Sequence, residues 1–352
     1  MTSIETDYLV VGAGASALAF TDALISQSDV DVVIVERRSQ PGGHWNDAYP
    51  FVRLHQPSAS YGVSSRTLGA DAIDRTGPNA GFYERASGTE ICAYFAEVLD
   101  HDLIGSGRVR FFPMCDYVGD WADTHAFESR LTGARTSVRV RRRMVDTTHL
   151  ECSVPATHRP FTFDDDATLI PVGQLVRVAG PLSGFTILGS GKTAMDACTW
   201  LLDNGVDPDR IRWVRPREPW VTDRASVQPL DQLGATIEGF AASVEVLARA
   251  ESLADLLAEV ESVGQLFRLD QNVDPTMFRG AILSEAERDS LQQIERVVRM
   301  GHVKHIGPDE VVLTGGTIAT TRHELHVVNR TGSDGGSGYW IPTSVGSGCW
   351  AA

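Results

Sequence analysis

Tyr8-Leu9-Val10-Val11-Gly12-Ala13-Gly14-Ala15-Ser16-Ala17 passes from four apolar residues through two glycines into small helix formers. The run reads as a β-strand, a tight turn and the start of an α-helix, the opening of a dinucleotide-binding βαβ unit. Gly12 allows the turn, Gly14 lets the backbone approach a pyrophosphate, and Ala17 keeps the helix close to its strand. Such a helix start favours anions, because its free N–H groups and the helix dipole act together. Outward from there, Ala17, Phe20 and Leu24 share a helical face, and Val32-Val33-Ile34-Val35 supplies the next strand, ending at Glu36. A carboxylate at that place accepts hydrogen bonds from free ribose hydroxyls, which suits a dinucleotide like FAD.

The pattern recurs. Phe185-Thr186-Ile187-Leu188 leads into Gly189-Ser190-Gly191-Lys192-Thr193-Ala194, and Ala194, Cys198, Leu201 and Leu202 make a helical face that Asn204-Gly205 ends. The following strand, Ile211-Arg212-Trp213-Val214, ends in Arg215, with Arg217 two residues on. Guanidinium groups there match a 2′-phosphate, so the second unit suits NADPH. Gly191-Lys192-Thr193 is not the phosphate loop of a nucleoside triphosphatase, since the glycine that loop needs is here Thr186, inside the strand.

These readings predict an α/β chain with two Rossmann-like dinucleotide-binding domains. Residues 1–175 form the N-terminal part of an FAD-binding domain and 176–300 an NADPH-binding domain with a helical region from about 241. Residues 301–352 return to the FAD domain and end in a truncated or disordered glycine- and serine-rich tail. Helical character is expected near Glu90–Leu99, and the alternation from Val109 to Thr148 predicts strands covering the first sheet. Pro155, Pro160, Pro171 and Pro181 punctuate the connector between the units.

A length of 352 residues allows two domains, and the net charge of −15 argues against a nucleic-acid partner. Arg139, Arg141, Arg142 and Arg143 read as a solvated strand face rather than a phosphate site. The five cysteines form no Cys-x-x-Cys pair and no zinc spacing, as expected of reduced thiols, and no metal ligands are assigned. The polar start with no signal-peptide pattern, and the lack of a membrane-length apolar run, predict a cytoplasmic protein without a membrane partner.

Beyond Glu36-Arg37 the chain continues Pro41-Gly42-Gly43-His44-Trp45-Asn46, Tyr49-Pro50, Arg53 and Pro57-Ser58-Ala59-Ser60-Tyr61. This succession resembles the class B flavoprotein monooxygenases, the flavin-containing and Baeyer–Villiger type, closely over about the first 65 residues and again from the second glycine turn through Arg217. The resemblance implies that Gly43, His44 and Trp45 approach a flavin ring and that Gln56, Pro57 and Ser58 line its reactive face. It implies hydride transfer from NADPH to FAD, then oxygenation of a small nucleophilic substrate by dioxygen through a flavin C4a-hydroperoxide. The family's ketone oxidisers carry an aspartate where this chain has His55, and their fingerprint before the second turn is missing around Val154–Phe163. A soft nitrogen or sulfur substrate is therefore expected, with His55 and Gln56 as candidate catalytic groups. Asp146-Thr147-Thr148-His149 stands where the family has Ala-Thr-Gly, and Leu325-His326-Val327-Val328 with Gly332 stands where it has a late strand and turn in the flavin domain. Two other readings stay open, an NADPH-dependent flavin reductase or dehydrogenase without oxygenation, and a nucleotide-binding protein without turnover.

Overall fold

The computed structural model describes residues 2–120, 124–148, 161–180 and 182–329. The first unit runs β1 (Thr2–Val11), α1 (Ala15–Gln27) and β2 (Val32–Val35), then a short ribbon of β3 (Gly62–Val63) and β4 (Arg66–Thr67). It continues through α2 (Gly88–Glu97), β5 (Val109–Phe112), β6 (Cys115–Tyr117), β7 (His125–Ser129) and β8 (Arg135–Asp146). Its strands form one sheet in the order β5-β2-β1-β8-β7-β6, with β5, β2, β1 and β8 parallel. The segment after Val109 thus extends the first sheet edge to edge rather than covering it, because β8 pairs with β1 along nearly its whole length. The basic run lies on exposed β8, where Arg141 reaches Asp7, Glu5 and Asp31 at 2.9–3.1 Å.

Next come β9 (Thr162–Phe163), β10 (Leu169–Pro171), β11 (Gly184–Leu188), α3 (Lys192–Asp203) and β12 (Ile211–Val214). They lead to β13 (Pro219–Asp223), α4 (Leu233–Arg249), α5 (Leu253–Ser262), β14 (Leu266–Arg268), β15 (Met277–Leu283) and α6 (Glu285–Leu291). The last elements are β16 (Val297–Val298), β17 (Val303–Ile306), β18 (Glu310–Leu313), β19 (Gly316–Ala319) and β20 (Glu324–Val328). The second sheet is wholly parallel in the order β10-β20-β11-β12-β16. Both sheets carry side-chain cores on each face, as their parallel strands require.

Two expectations change. Leu325–Val328 lies in the second sheet, between β10 and β11, not in the first. All five residues of β20 are buried, and the polar ones are satisfied there: Thr186 donates to Glu324, and Thr320 bonds His326. Residues 303–319 likewise pack as a meander against Leu188 and Val214 of the second sheet. The region from 241, expected to be dominantly helical, also holds the strands β14 and β15, which pair with β13 in a separate three-stranded sheet whose inner residues join the second core. The tail from Gly332, the Val154–Pro160 stretch, His149 and the prolines at 155, 160 and 181 lie outside the described residues.

Helix starts differ in a telling way. Ser87, Ser252 and Ser284 cap α2, α5 and α6 with their hydroxyls. The helices behind the glycine turns, α1 at Gly14 and α3 at Gly191, have no side-chain cap and no acidic residue in the first turn, as is also true of α4, which continues from a short 3-10 turn instead of a glycine turn. Helix starts of this kind favour anions, although at α3 the Ala194 N–H already donates to the Gly191 carbonyl at 3.0 Å.

Candidate functional site

Three backbone segments converge at the carboxyl end of the first sheet. Gly12, at φ +100°, sits so tightly that a β-carbon would stand 2.6 Å from the Thr147 hydroxyl. The Gly42 N–H donates to the Ala13 carbonyl at 2.8 Å, and a β-carbon on Gly43 would stand 3.0 Å from Gly14 Cα. Gly42 and Gly43 both have positive φ, which larger residues resist. Thr147 and Thr148 thus close the space behind the first turn, where the sequence resemblance leads one to expect a glycine.

Glu36 is buried at the end of β2 and accepts from the Ala13 N–H at 2.6 Å and the Arg38 N–H at 2.8 Å. Its carboxylate is thereby fixed at the mouth of the first turn, while Arg37 projects outward. Ala15 and Ser16 are half-buried in the first turn of α1, and Ala17 is buried against β1. His44 and Trp45 stack at 5.1 Å, with Trp45 leaning on the first core. Burial, reinforced by the Arg38 charge, lowers the His44 pKa.

The loop beyond is a scaffold as much as a surface. Ser58 is buried, and its hydroxyl accepts from the Ala86 N–H at 2.8 Å. Pro57 is buried too, whereas Gln56 is half-buried and bonded to the Tyr61 hydroxyl at 3.3 Å. His55 is held down to about 4, first by burial and then by the positive charge of Lys192, so its imidazole is neutral at ordinary pH.

At the second sheet, Gly189 has φ +131° and its carbonyl accepts from the Trp213 indole at 2.7 Å. A β-carbon on Gly191 would meet nothing within 4 Å, which leaves an open cradle at the start of α3. Ala194 is buried behind it and Thr193 is half-buried beside Tyr49. Lys192 is buried and paired with Asp196 one turn on, and Asp196 also accepts from the Tyr49 hydroxyl at 2.6 Å.

Arg215 and Arg299 stand side by side past the ends of β12 and β16, since Val214 pairs with Val298 and the Arg215 N–H donates to the Val298 carbonyl. Both line a cavity of about 460 Å³ with Trp213, Asp270, Asn272 and Gln292. Arg215 stacks over the Trp213 ring at 4.7 Å and pairs with Glu218 at 3.1 Å. Glu218 also accepts from Arg299 at 2.5 Å, and Arg299 reaches Asp270 at 2.7 Å. Arg217 is exposed and outside this network.

The two units meet along a buried seam. Phe51 stacks on Trp200 at 5.3 Å, and Tyr49 packs beside it. Glu287 bridges Arg85 at 3.2 Å and Arg224 at 2.5 Å, and all three are buried. Burial would raise the Glu287 carboxyl, but Lys192, Arg224 and Arg85 hold it at about 2. Lys192, at the start of α3, is close enough to His55 of the first unit for its charge to help lower that imidazole.

Residues 10–65 match the family described as NAD(P)-binding Rossmann-like domain. A flavin-containing monooxygenase from Stenotrophomonas maltophilia superposes with a TM-score of 0.52 at 13% identity, over 95% of this chain and 80% of that one. A cyclohexanone monooxygenase from Rhodococcus sp. Phi1, bound to NADP+, gives 0.55 at 12% identity over 93% and 70%. A steroid monooxygenase bound to NADP gives 0.54 at 15% identity over 92% and 71%. The chain has the fold of the flavin monooxygenases. Uncharacterized proteins of Mycobacterium tuberculosis and Mycobacterium bovis are 44% identical over 331 residues, 92% of this chain. The chain spans 60% of the length of those relatives.

Within the flavin monooxygenase fold, the structure gathers Gly12, Gly14, Glu36 and Gly43 at one sheet end and Gly189, Gly191, Trp213 and Arg215 at the other. Arg299, Glu218 and the Arg85–Glu287–Arg224 bridge escaped the sequence reading, and Tyr49 is legible there only as part of the Tyr49-Pro50 motif. Visible signals exist for the Lys192–Asp196 pair, in the four-residue spacing of a helical ion pair, and for Glu287, in the Ser284-x-x-Glu287 pattern of a capping box.

Proposed function

We propose that this chain is an FAD- and NADPH-dependent oxidoreductase of the monooxygenase kind, acting on a small nitrogen or sulfur nucleophile. The observation that carries the reading is the pair of glycine turns that lead from parallel strands β1 and β11 into the uncapped starts of α1 and α3, whereas uncapped α4 follows no strand-to-helix glycine turn. Both turns fit a pyrophosphate: a β-carbon at Gly43 would crowd the first, and the open space at Gly191 leaves the second accessible. Bound FAD would supply the redox chemistry, taking hydride from NADPH and passing electrons to dioxygen.

The protein's own part is binding, orientation and exclusion of water. Gly12, Gly14, Ala15, Ser16 and Ala17 would hold the flavin pyrophosphate and Glu36 its ribose. Gly189, Gly191, Thr193 and Ala194 would do the same for NADPH, with Arg215 and Arg217 toward the 2′-phosphate. Gly43, His44 and Trp45 would flank the ring. His55, neutral at ordinary pH, would hold one ring proton beside the reacting atoms, with Gln56 next to it. The apolar stack of Phe51 on Trp200 supports a dry seam.

An absorbance spectrum of purified protein, followed by anaerobic NADPH addition, tests the reading. A yellow preparation bleached by NADPH, which then consumes oxygen and yields an oxygenated amine or sulfide, supports it. Electron flow only to a quinone or to released peroxide favours a reductase. A colourless protein that binds NADPH without turnover overturns it.

A further inference from the structure

Arg215 carries an anomaly. It is only 4% exposed, lines the cavity beside β12, and its Nε has no hydrogen-bond partner among the described residues. Its neighbour Arg299 opens onto the same cavity. Two adjacent guanidiniums beyond parallel strand ends, one with an idle buried donor, make a site for a doubly charged anion.

That site is already neutralised from behind. Glu218, 6% exposed and not part of the cavity wall, accepts from Arg215 at 3.1 Å and from Arg299 at 2.5 Å. Asp270 takes the other side of Arg299. Glu295 adds an exposed carboxylate to the cavity wall, so the two guanidiniums face three carboxylates, of which Glu218 alone pairs with both, and an incoming phosphate meets no free positive charge.

We propose that Glu218 sets the coenzyme selectivity of this chain, acting as an internal counter-ion that competes with the ribose 2′-phosphate for Arg215 and Arg299. The inference rests on the reading that the second glycine turn holds the nicotinamide coenzyme. Glu218 discounts the advantage of NADPH and leaves NADH, with its free hydroxyl, nearly unaffected. It is a positioning residue, since it reaches the coenzyme only through the two arginines.

The test uses the full chain and measures dissociation constants of NADPH and NADH by titration without turnover. E218Q keeps the shape and removes the charge; its NADPH-to-NADH affinity ratio should rise roughly tenfold. R299M removes a partly exposed guanidinium and should lower the ratio by a similar factor even if E218Q fails to fold. A ratio unchanged in R299M, or unchanged or lowered in a folded E218Q, overturns the role of Glu218 while leaving the second site intact. Failure of wild-type protein to bind either coenzyme overturns both this inference and the functional reading beneath it.

Discussion

Gly14 and Gly43, twenty-nine positions apart, touch through their backbones, with room for no β-carbon on Gly43 beyond 3.0 Å from Gly14 Cα. Gly43 also sits at φ +56°, where an alanine is strained by roughly 1 kcal/mol. Gly43→Ala should fold with a modest loss of stability and lose most of its flavin. The check is flavin absorbance per protein after purification, set against the melting temperature. Full flavin occupancy in the variant would show that the two turns do not frame the first cofactor.

Gly191 gives the complementary case, because nothing lies within 4 Å of the β-carbon it lacks. Gly191→Ala should cost less than about 1 kcal/mol of stability, the scale of a helix-cap change. NADPH affinity should nevertheless fall tenfold or more, since the added methyl occupies the approach of the pyrophosphate. Titration alongside thermal melting separates the two effects. Unaltered NADPH affinity would remove the second turn from the binding site.

Glu287 holds Arg85 and Arg224 in the seam, and both arginines keep a buried Nε without a partner among the described residues. Removing one partner from such a cluster leaves uncompensated buried charge, at a cost of about 3–5 kcal/mol. Glu287→Gln should therefore lower the urea midpoint strongly through the lost charge, since glutamine can keep the capping box with Ser284. A loss under about 1 kcal/mol would mean that the bridge contributes little to joining the units.

Stability should fall in two stages as pH drops. His55 has a folded pKa of about 4 against an ordinary 6.5, so between these values the unfolded chain binds a proton the folded chain refuses. Stability from this group is complete above 6.5 and declines as pH falls toward 4. Glu287, at about 2 against an ordinary 4.5, loses its contribution across the next window, from 4.5 down to 2. Denaturant midpoints measured against pH check both; since burial also lowers His44 and His326, His55→Asn should make the upper stage shallower without abolishing it and leave the lower stage in place.

The glycine turns, their flanking strands and Glu36 were legible because each is a local pattern with a local cause. Arg299 was not, since the strand that sets it beside Arg215 is only two residues long, Val297–Val298. The place of β20 was also hidden: a short apolar run suits any parallel sheet, and only pairing with β10 and β11 decides which. The strands β14 and β15 were masked by the helical spacing of neighbouring α4 and α5. Ser58 reads as a candidate flavin neighbour from its motif, yet its hydroxyl is spent on the Ala86 backbone.

Arg215 and Arg217 should behave differently, although only two positions separate them. Arg215 is buried against Trp213 and Glu218, with burial bringing its guanidinium down to about 10 despite that carboxylate. Arg215→Ala should therefore lose NADPH preference over NADH and also lose stability, by roughly 3 kcal/mol, as Glu218 loses one of its two cations. Arg217 is exposed, with no ion pair among the described residues, so Arg217→Ala should leave the melting temperature unchanged. If Arg217 meets the 2′-phosphate, the same variant weakens NADPH several-fold and spares NADH. Coenzyme titrations and melts on both variants decide the division of labour: selectivity unchanged in both would place the 2′-phosphate elsewhere on the second unit.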